Sequence, residues 1–255
     1  MSLQAFYWFL AVMAVVAVIV FVSLFFVDAG YGKFYHPKWG PSLDNRLGWV
    51  LMEAPVFVAM LLLWWLSDRR TDPVRLIFLL LFEAHYFHRS FIFPLRMRGR
   101  SRMPLSIILM GVLFNTLNAL MQGGWIFYFS PLERYPLAWL HSVPFLVGTI
   151  LFFCGMYINI TSDGIIRDLR QPGDTRHYLP KGGMFRYVAS ANYFGEVLEW
   201  TGFAVLTWSL SGAVFALWTF ANLAPRAARI YDMYGQEFPE EFDAHKVKRI
   251  LPFIF

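Results

Sequence analysis

Residues 5–27, AFYWFLAVMAVVAVIVFVSLFFV, carry no charge. At about 1.5 Å of rise per residue, a helix of that length crosses a hydrocarbon layer about 30 Å thick. Comparable apolar runs recur at about 47–66, 76–95, 104–129 and 137–160. Residues 193–234 are long enough for two more, with a turn expected at Ser209–Gly212. Composition closes off a soluble alternative: 58% of the residues are hydrophobic and 15% charged, against about 25% charged in an ordinary soluble domain. Such a chain has too little polar surface to face water all round. The pattern predicts an all-α, multi-pass membrane bundle of seven transmembrane helices, with residues 1–255 forming one domain. The first run lacks a basic leader, exceeds an h-region in length and is followed by further spans, so it reads as a true span rather than a cleaved signal.

Lysine and arginine in the loops set the orientation. One side carries Lys33, Lys38 and Arg46, the arginine run 96–102, and Arg167, Arg170, Arg176, Lys181 and Arg186. The other carries Arg69, Arg70, Arg75 and Arg134. This places the N-terminus outside or in the lumen and the C-terminus in the cytoplasm. The +5 net charge is explained by topology, so no nucleic-acid partner is expected. The single cysteine, Cys154, excludes an internal disulfide and a cysteine-cluster metal site. Its apolar surroundings predict an inert, buried thiol.

Ionisable groups inside spans cost about 2.5–3.5 kcal/mol each on insertion scales, so each needs a reason. Glu53 sits in the second span, either paired or acting as a protonated donor to a substrate oxygen. On the third, Glu83, Tyr86 and Ser90 share one face, and His85 and Arg89 a neighbouring one. A metal site on His85 and His88 lacks further ligands, and none is expected. Asn115, Asn118 and Gln122 form an amide stripe on the fourth span. It serves either as glue between helices or as the lining of a polar cavity.

The densest polar stretch is 154–203. Asn159, Asp163, Arg167 and Arg170 follow helical spacing, and Asn192, Glu196 and Glu199 form a second stripe. Carboxylates and amides suit ribose and carboxamide groups, and arginine pairs with phosphate. A surface for a large anionic cofactor accounts for carboxylates running into a span, which a positive-inside loop does not. The G-x-G-x-x-G fingerprint is absent, which excludes a Rossmann site by motif. A nucleotide would instead be held between helices.

GYGK at 30–33, Glu53, HYFHR at 85–89, RGR at 98–100 and GMYINITSD at 155–163 occur in this order. LRQPG at 169–173, GGMFRYVASANYFGEVLEW at 182–200 and the terminal PFIF complete the set. Together they make the chain resemble the steroid 5α-reductase family over nearly its whole length. The resemblance implies a seven-span enzyme that uses NADPH to reduce the Δ4 double bond of 3-oxo steroids. Glu53 and Tyr86 match the catalytic pair that contacts the 3-keto oxygen. Asn159, Asp163, Arg170, Asn192, Glu196 and Arg226 match cofactor-holding positions, with Arg100, Arg167 and Tyr234 expected beside them. Asn118, Arg89 and Met52 are expected at the substrate pocket, and Met52 stands where the family often has Gln. Residues 1–130 would form the steroid side and 131–255 mainly the cofactor side. The implied setting is a monomer in the endoplasmic reticulum or a bacterial inner membrane, with steroid entering from the bilayer. A polyprenol or enoyl-lipid reductase, an isoprenylcysteine-type methyltransferase and a transporter are the alternatives.

Overall fold

The computed structural model describes the whole chain except Asp28, Ala29, Tyr31, Gly99, Arg100, Pro172, Gly173 and Thr175, and the side chain of Lys33. Arg100, and parts of the GYGK, RGR and LRQPG segments, therefore lie outside the described residues.

Helix α1 (Leu3–Ser23) is capped by Ser2, whose hydroxyl accepts from the Ala5 amide. Only Phe6, Leu10, Met13 and Ala17 are buried. They form one stripe, and Trp218 donates to the Met13 carbonyl beside it at 2.8 Å. Most of the remaining α1 side chains are apolar and exposed, as in a helix facing hydrocarbon, while Phe9, Ala14 and Phe21 are partly buried against core clusters. A two-stranded clip, β1 (Ser42–Asp44) with antiparallel β2 (Arg102–Pro104), joins the starts of α2 (Asn45–Trp65) and α5 (Leu105–Gly123). The two helices consequently run parallel, with Gly111 against Met52 and Gly123 against Met60 and Leu63.

Helix α3 (Pro73–Phe87) begins with Asp72 accepting from the Val74 and Arg75 amides, and Pro73 needs no donor there. It continues through a π-turn (His88–Ile92) into α4 (Phe93–Arg96). Helix α5 likewise continues through a π-turn at Gly124–Phe129. Arg75, expected on a loop, is 1% exposed. It donates to the Ile126 and Pro131 carbonyls at 2.9 Å and fixes α3 to the connection leaving α5.

Helices α6 (Val143–Asp168) and α7 (Ala191–Thr207) form the closest pair. Gly148 and Gly155 on α6 meet Gly202 and Gly195 on α7. A Cβ at Gly155 would lie 2.3 Å from the Glu199 backbone nitrogen, and one at Gly195 would lie 2.4 Å from that of Asn159. Only glycine admits backbones this close. Trp208, in the left-handed region at φ 44, and Ser209 make the turn into α8 (Leu210–Glu237), slightly before the segment expected from sequence. The C-terminal tail returns to the segment just before α7, where the Ala189 amide donates to the Lys248 carbonyl at 2.8 Å.

The protein is mainly helical, and among the described residues five helical stretches are long and apolar enough to cross a membrane: 3–23, 45–65, 73–96, 105–129 and 143–168. Helix α7, with 17 residues, and the more polar α8 fall outside that measure. Cys154 is exposed, not buried. An apolar run in a membrane helix has a lipid face as well as a core face, and Cys154 lies on the outer one.

Candidate active site

The amide stripe of α5 is where the first polar cluster is built. Asn115 Nδ2 donates to the Met52 carbonyl at 2.8 Å and to Glu53 Oε2 at 3.0 Å. The carbonyl accepts only, which fixes the amide nitrogen toward Glu53. One turn on, Asn118 Nδ2 donates to the Tyr86 hydroxyl at 3.0 Å. Gln122 holds that orientation by donating to Asn118 Oδ1 at 3.4 Å and to the Ser211 carbonyl at 3.0 Å. Because Tyr86 accepts from Asn118, its own proton is available for another acceptor. Tyr86 is 3% exposed and lies against Phe82 and Trp200, and Glu53 is half-buried. Both oxygens of the buried Glu83 and the Ser90 hydroxyl have no partner among the described residues.

Behind Tyr86, His85 Nδ1 meets Glu199 Oε1 at 2.8 Å, with the two side chains 5% and 0% exposed. Sequence spacing put Glu199 in the α7 stripe but gave His85 no partner. The available signal was that two ionisable groups within apolar helices must satisfy each other.

A second cluster spans α3, α6 and α7. Arg89 reaches Asp163 at 3.4 Å and Glu196 at 3.5 Å, with its guanidinium over the rings of Trp49 and Phe93. Asp163 also accepts from Asn192 at 2.9 Å. Asn159 donates to the Asn192 carbonyl at 2.9 Å and to Glu196 at 3.5 Å. The glycine seam sets these distances, since it brings Asn159 and Asp163 directly against Asn192 and Glu196. Arg89, expected at the substrate pocket, thus pairs with Asp163 and Glu196, two of the four residues expected at the cofactor. Arg167 is turned to Asp168 at 3.1 Å.

The third group lies along α8. Arg226 donates to the Tyr193 hydroxyl at 2.8 Å and lies over Phe34. Gly32, at φ +63, allows the loop after α1 to approach it, since a Cβ there would sit 3.2 Å from the Arg226 guanidinium. Tyr234 is buried within electrostatic reach of Arg170 and Tyr193. Arg170 follows the C-terminal cap of α6, so its spacing with Asn159 and Asp163 is not carried on one continuous helix.

Outside the membrane helices, Asp174 accepts from Arg176 and from the Tyr178 hydroxyl at 2.6 Å. Those hydrogen bonds, led by the Arg176 guanidinium, hold its carboxyl well below the usual carboxylate range.

A half-buried carboxyl and a buried phenol thus share the α5 stripe, apart from a charged cluster between α3, α6 and α7. A model of the 3-oxo-5-alpha-steroid 4-dehydrogenase family matches residues 101–255. The chain is 40% identical over 228 residues to human 3-oxo-5-alpha-steroid 4-dehydrogenase 1, covering 88% of this chain and 86% of that protein. It is 36% identical over 240 residues to steroid 5-alpha-reductase DET2 of Arabidopsis thaliana, covering 92% and 90%. It is 34% identical over 255 residues to the DET2 protein of Gossypium hirsutum, covering 98% and 97%. The chain belongs to the 3-oxo-5-alpha-steroid 4-dehydrogenase family and is an oxidoreductase.

Membership implies a nicotinamide cofactor, and the second cluster has the chemistry to hold one. Carboxylates and amides at Asn159, Asp163, Asn192 and Glu196 match ribose hydroxyls and a carboxamide. The Ser190 hydroxyl, buried at the start of α7, has no partner among the described residues. Arg170 and Arg226 carry fixed positive charge of the kind a phosphate group would need.

Proposed function

We propose that the protein reduces the Δ4 double bond of a 3-oxo steroid with NADPH, giving the 5α-reduced 3-oxo product. When bound, NADPH supplies a hydride for carbon 5 of the enone. Tyr86 donates its proton toward the 3-oxygen, and Asn118, by donating to the phenol oxygen, keeps that proton directed away from itself. Glu53 in its protonated form donates to the same oxygen, with Asn115 fixing its carboxyl. Both bonds strengthen as negative charge grows on that oxygen, which makes them transition-state interactions. Each is worth about 3 kcal/mol by analogy with oxyanion-hole donors. Carbon 4 then takes a proton.

Asn159, Asp163, Asn192 and Glu196 bind the cofactor's sugar and amide groups, and Arg170, Arg226 and Tyr234 its phosphate end. Residues 1–130 contribute the steroid side and 131–255 mainly the cofactor side, with Arg89 crossing between them. The seven-span topology, with the N-terminus outside and the cofactor side cytoplasmic, belongs to the same reading.

The observation that carries it is the α5 stripe, which holds Glu53 and Tyr86 from consecutive turns. The test is NADPH oxidation by the purified protein with progesterone, testosterone and a polyprenol. The steroids should support turnover and yield 5α-reduced products. Turnover confined to the polyprenol would overturn the steroid assignment, and binding of S-adenosylmethionine in place of NADPH would overturn the reductase assignment.

A further inference from the structure

Residues 251–255, LPFIF, fold into a closed turn. The Ile254 and Phe255 amides donate to the Leu251 carbonyl at 3.2 and 3.1 Å. The Phe255 main-chain oxygen accepts from the Ile250 and Leu251 amides at 2.8 and 2.6 Å. Upstream, the Ala189 and Ser190 amides donate to the Lys248 and Arg249 carbonyls at 2.8 and 3.2 Å, which ties the turn to the start of α7. Phe253 and Ile254 stand at the tip, each 79% exposed. Phe253 is in the left-handed region at φ 67. Crowding at Cβ makes that conformation costly for a bulky residue, whereas glycine adopts it freely. The backbone is therefore held in a form that turns two large apolar side chains outward, beside the exposed Tyr187 ring 5.6 Å from Phe253. Strain kept at an exposed ring points to a use for that ring.

Packing sets the height of the turn. Ile250, at its base, is buried with Leu223, Ala224 and Ala227 of α8, and Phe21 packs against the same cluster. Phe21 lies in the last turn of α1, a helix long and apolar enough to cross a membrane. Phe25, two residues past that helix, lines a cleft together with Phe255. The turn is thus level with the end of α1, where hydrocarbon gives way to headgroups and aromatic side chains are favoured. Val22 and Phe26 carry the exposed apolar surface of α1 to the same level. A bilayer covers both surfaces at once, whereas a water-soluble partner would have to enter the headgroup layer to reach the tip.

We propose that Phe253 and Ile254 insert into the membrane at the boundary between headgroups and acyl chains, in the leaflet where α1 ends. The 251–255 turn is then a non-spanning membrane contact that holds the tail against the start of α7. The proposal rests on α1 crossing the bilayer, which belongs to the reading above.

The test uses the full chain in phosphatidylcholine nanodiscs, in a Cys154→Ser background, with a nitroxide label on Ile254→Cys. Collision with oxygen reports lipid, and collision with a water-soluble nickel chelate reports water. Val15→Cys, at an exposed position midway along α1, and Glu240→Cys, beyond the end of α8, are the references. The oxygen-to-nickel ratio at Ile254 should lie several-fold above that at Glu240 and approach that at Val15. If Ile254→Cys does not fold, by its thermal unfolding midpoint, Phe253→Cys is read in the same way. A ratio at Ile254 equal to that at Glu240 would place the tip in water and overturn the proposal. Protection from both reagents would mean that protein covers the tip, a second copy of this chain included, and would overturn it as well. Water values at Val15 would instead overturn the membrane crossing of α1 itself.

Discussion

The two polar clusters are built from different bonds. Around Glu53 and Tyr86, α5 supplies neutral amides, each making one or two directed donations. Around Asp163 and Glu196, three helices supply ions and amides that share partners, with Arg89 at the centre. Neutral amides aim a proton without fixing charge in the ground state. That suits a site where charge appears only in the transition state. A cluster that already carries opposed charges suits a ligand that arrives charged and must be positioned. The contrast fits the proposed division, with chemistry at one cluster and binding at the other, and each variant below is a way to break or sharpen it.

The largest effect is expected at the neutral cluster. Tyr86→Phe and Glu53→Gln should each lower turnover on the order of a hundredfold to a thousandfold, with NADPH affinity nearly unchanged. Steady-state rates at saturating NADPH check this, and wild-type turnover in either variant would remove it from the reaction.

Next in size is the seam beneath the charged cluster. Gly155→Val places a side chain where even a Cβ would lie 2.3 Å from the α7 backbone. Overpacking of this kind costs on the order of 1–3 kcal/mol or more. A lower thermal unfolding midpoint and weaker NADPH binding together are expected, and an unchanged midpoint would show that α6 and α7 do not depend on their close approach.

A smaller and more selective effect is expected from Arg170→Ala. It should weaken NADPH more than NADH, since the two differ by one phosphate. Equal losses, measured by fluorescence titration, would deny Arg170 a phosphate role.

Smallest of all is the acid response of the loop near Tyr178. The Asp174 carboxyl is held below its ordinary value by Arg176 and Tyr178. Its contribution is therefore fully present above the ordinary aspartate range, near about pH 4, and is lost as pH falls through the depressed value. Hydrogen exchange across residues 176–178 should rise only in strong acid, and Tyr178→Phe should move that rise to higher pH. An unchanged profile would show that Tyr178 does not hold Asp174.

Much of the frame was legible because membrane length is a one-dimensional property. The first four apolar runs match stretches able to cross a membrane to within a few residues, and the fifth, expected at about 137–160, overlaps the helix at 143–168; the spacing of Asn115, Asn118 and Gln122 placed them on one face. What escaped was sidedness. An apolar run reads alike toward lipid and toward core, so Cys154 looked buried and is exposed. Arg75 sits between two apolar stretches and looked like a loop charge, yet carbonyls from beyond α5, far along the chain, accept its hydrogen bonds. Arg89 shares a helix with Tyr86 but reaches the other cluster, because its direction depends on how α3 packs against α6 and α7. The glycines at 148, 155, 195 and 202 carry no signal singly. Their meaning lies in two spacings of seven that face each other.

The division of labour between the clusters is tested most directly by measuring NADPH affinity and the single-turnover rate on the same two variants. Tyr86→Phe should lose the rate and keep the affinity, and Arg170→Ala should lose affinity and regain the rate at saturating NADPH. If both variants lose both quantities in proportion, the clusters are one unit and the account is wrong.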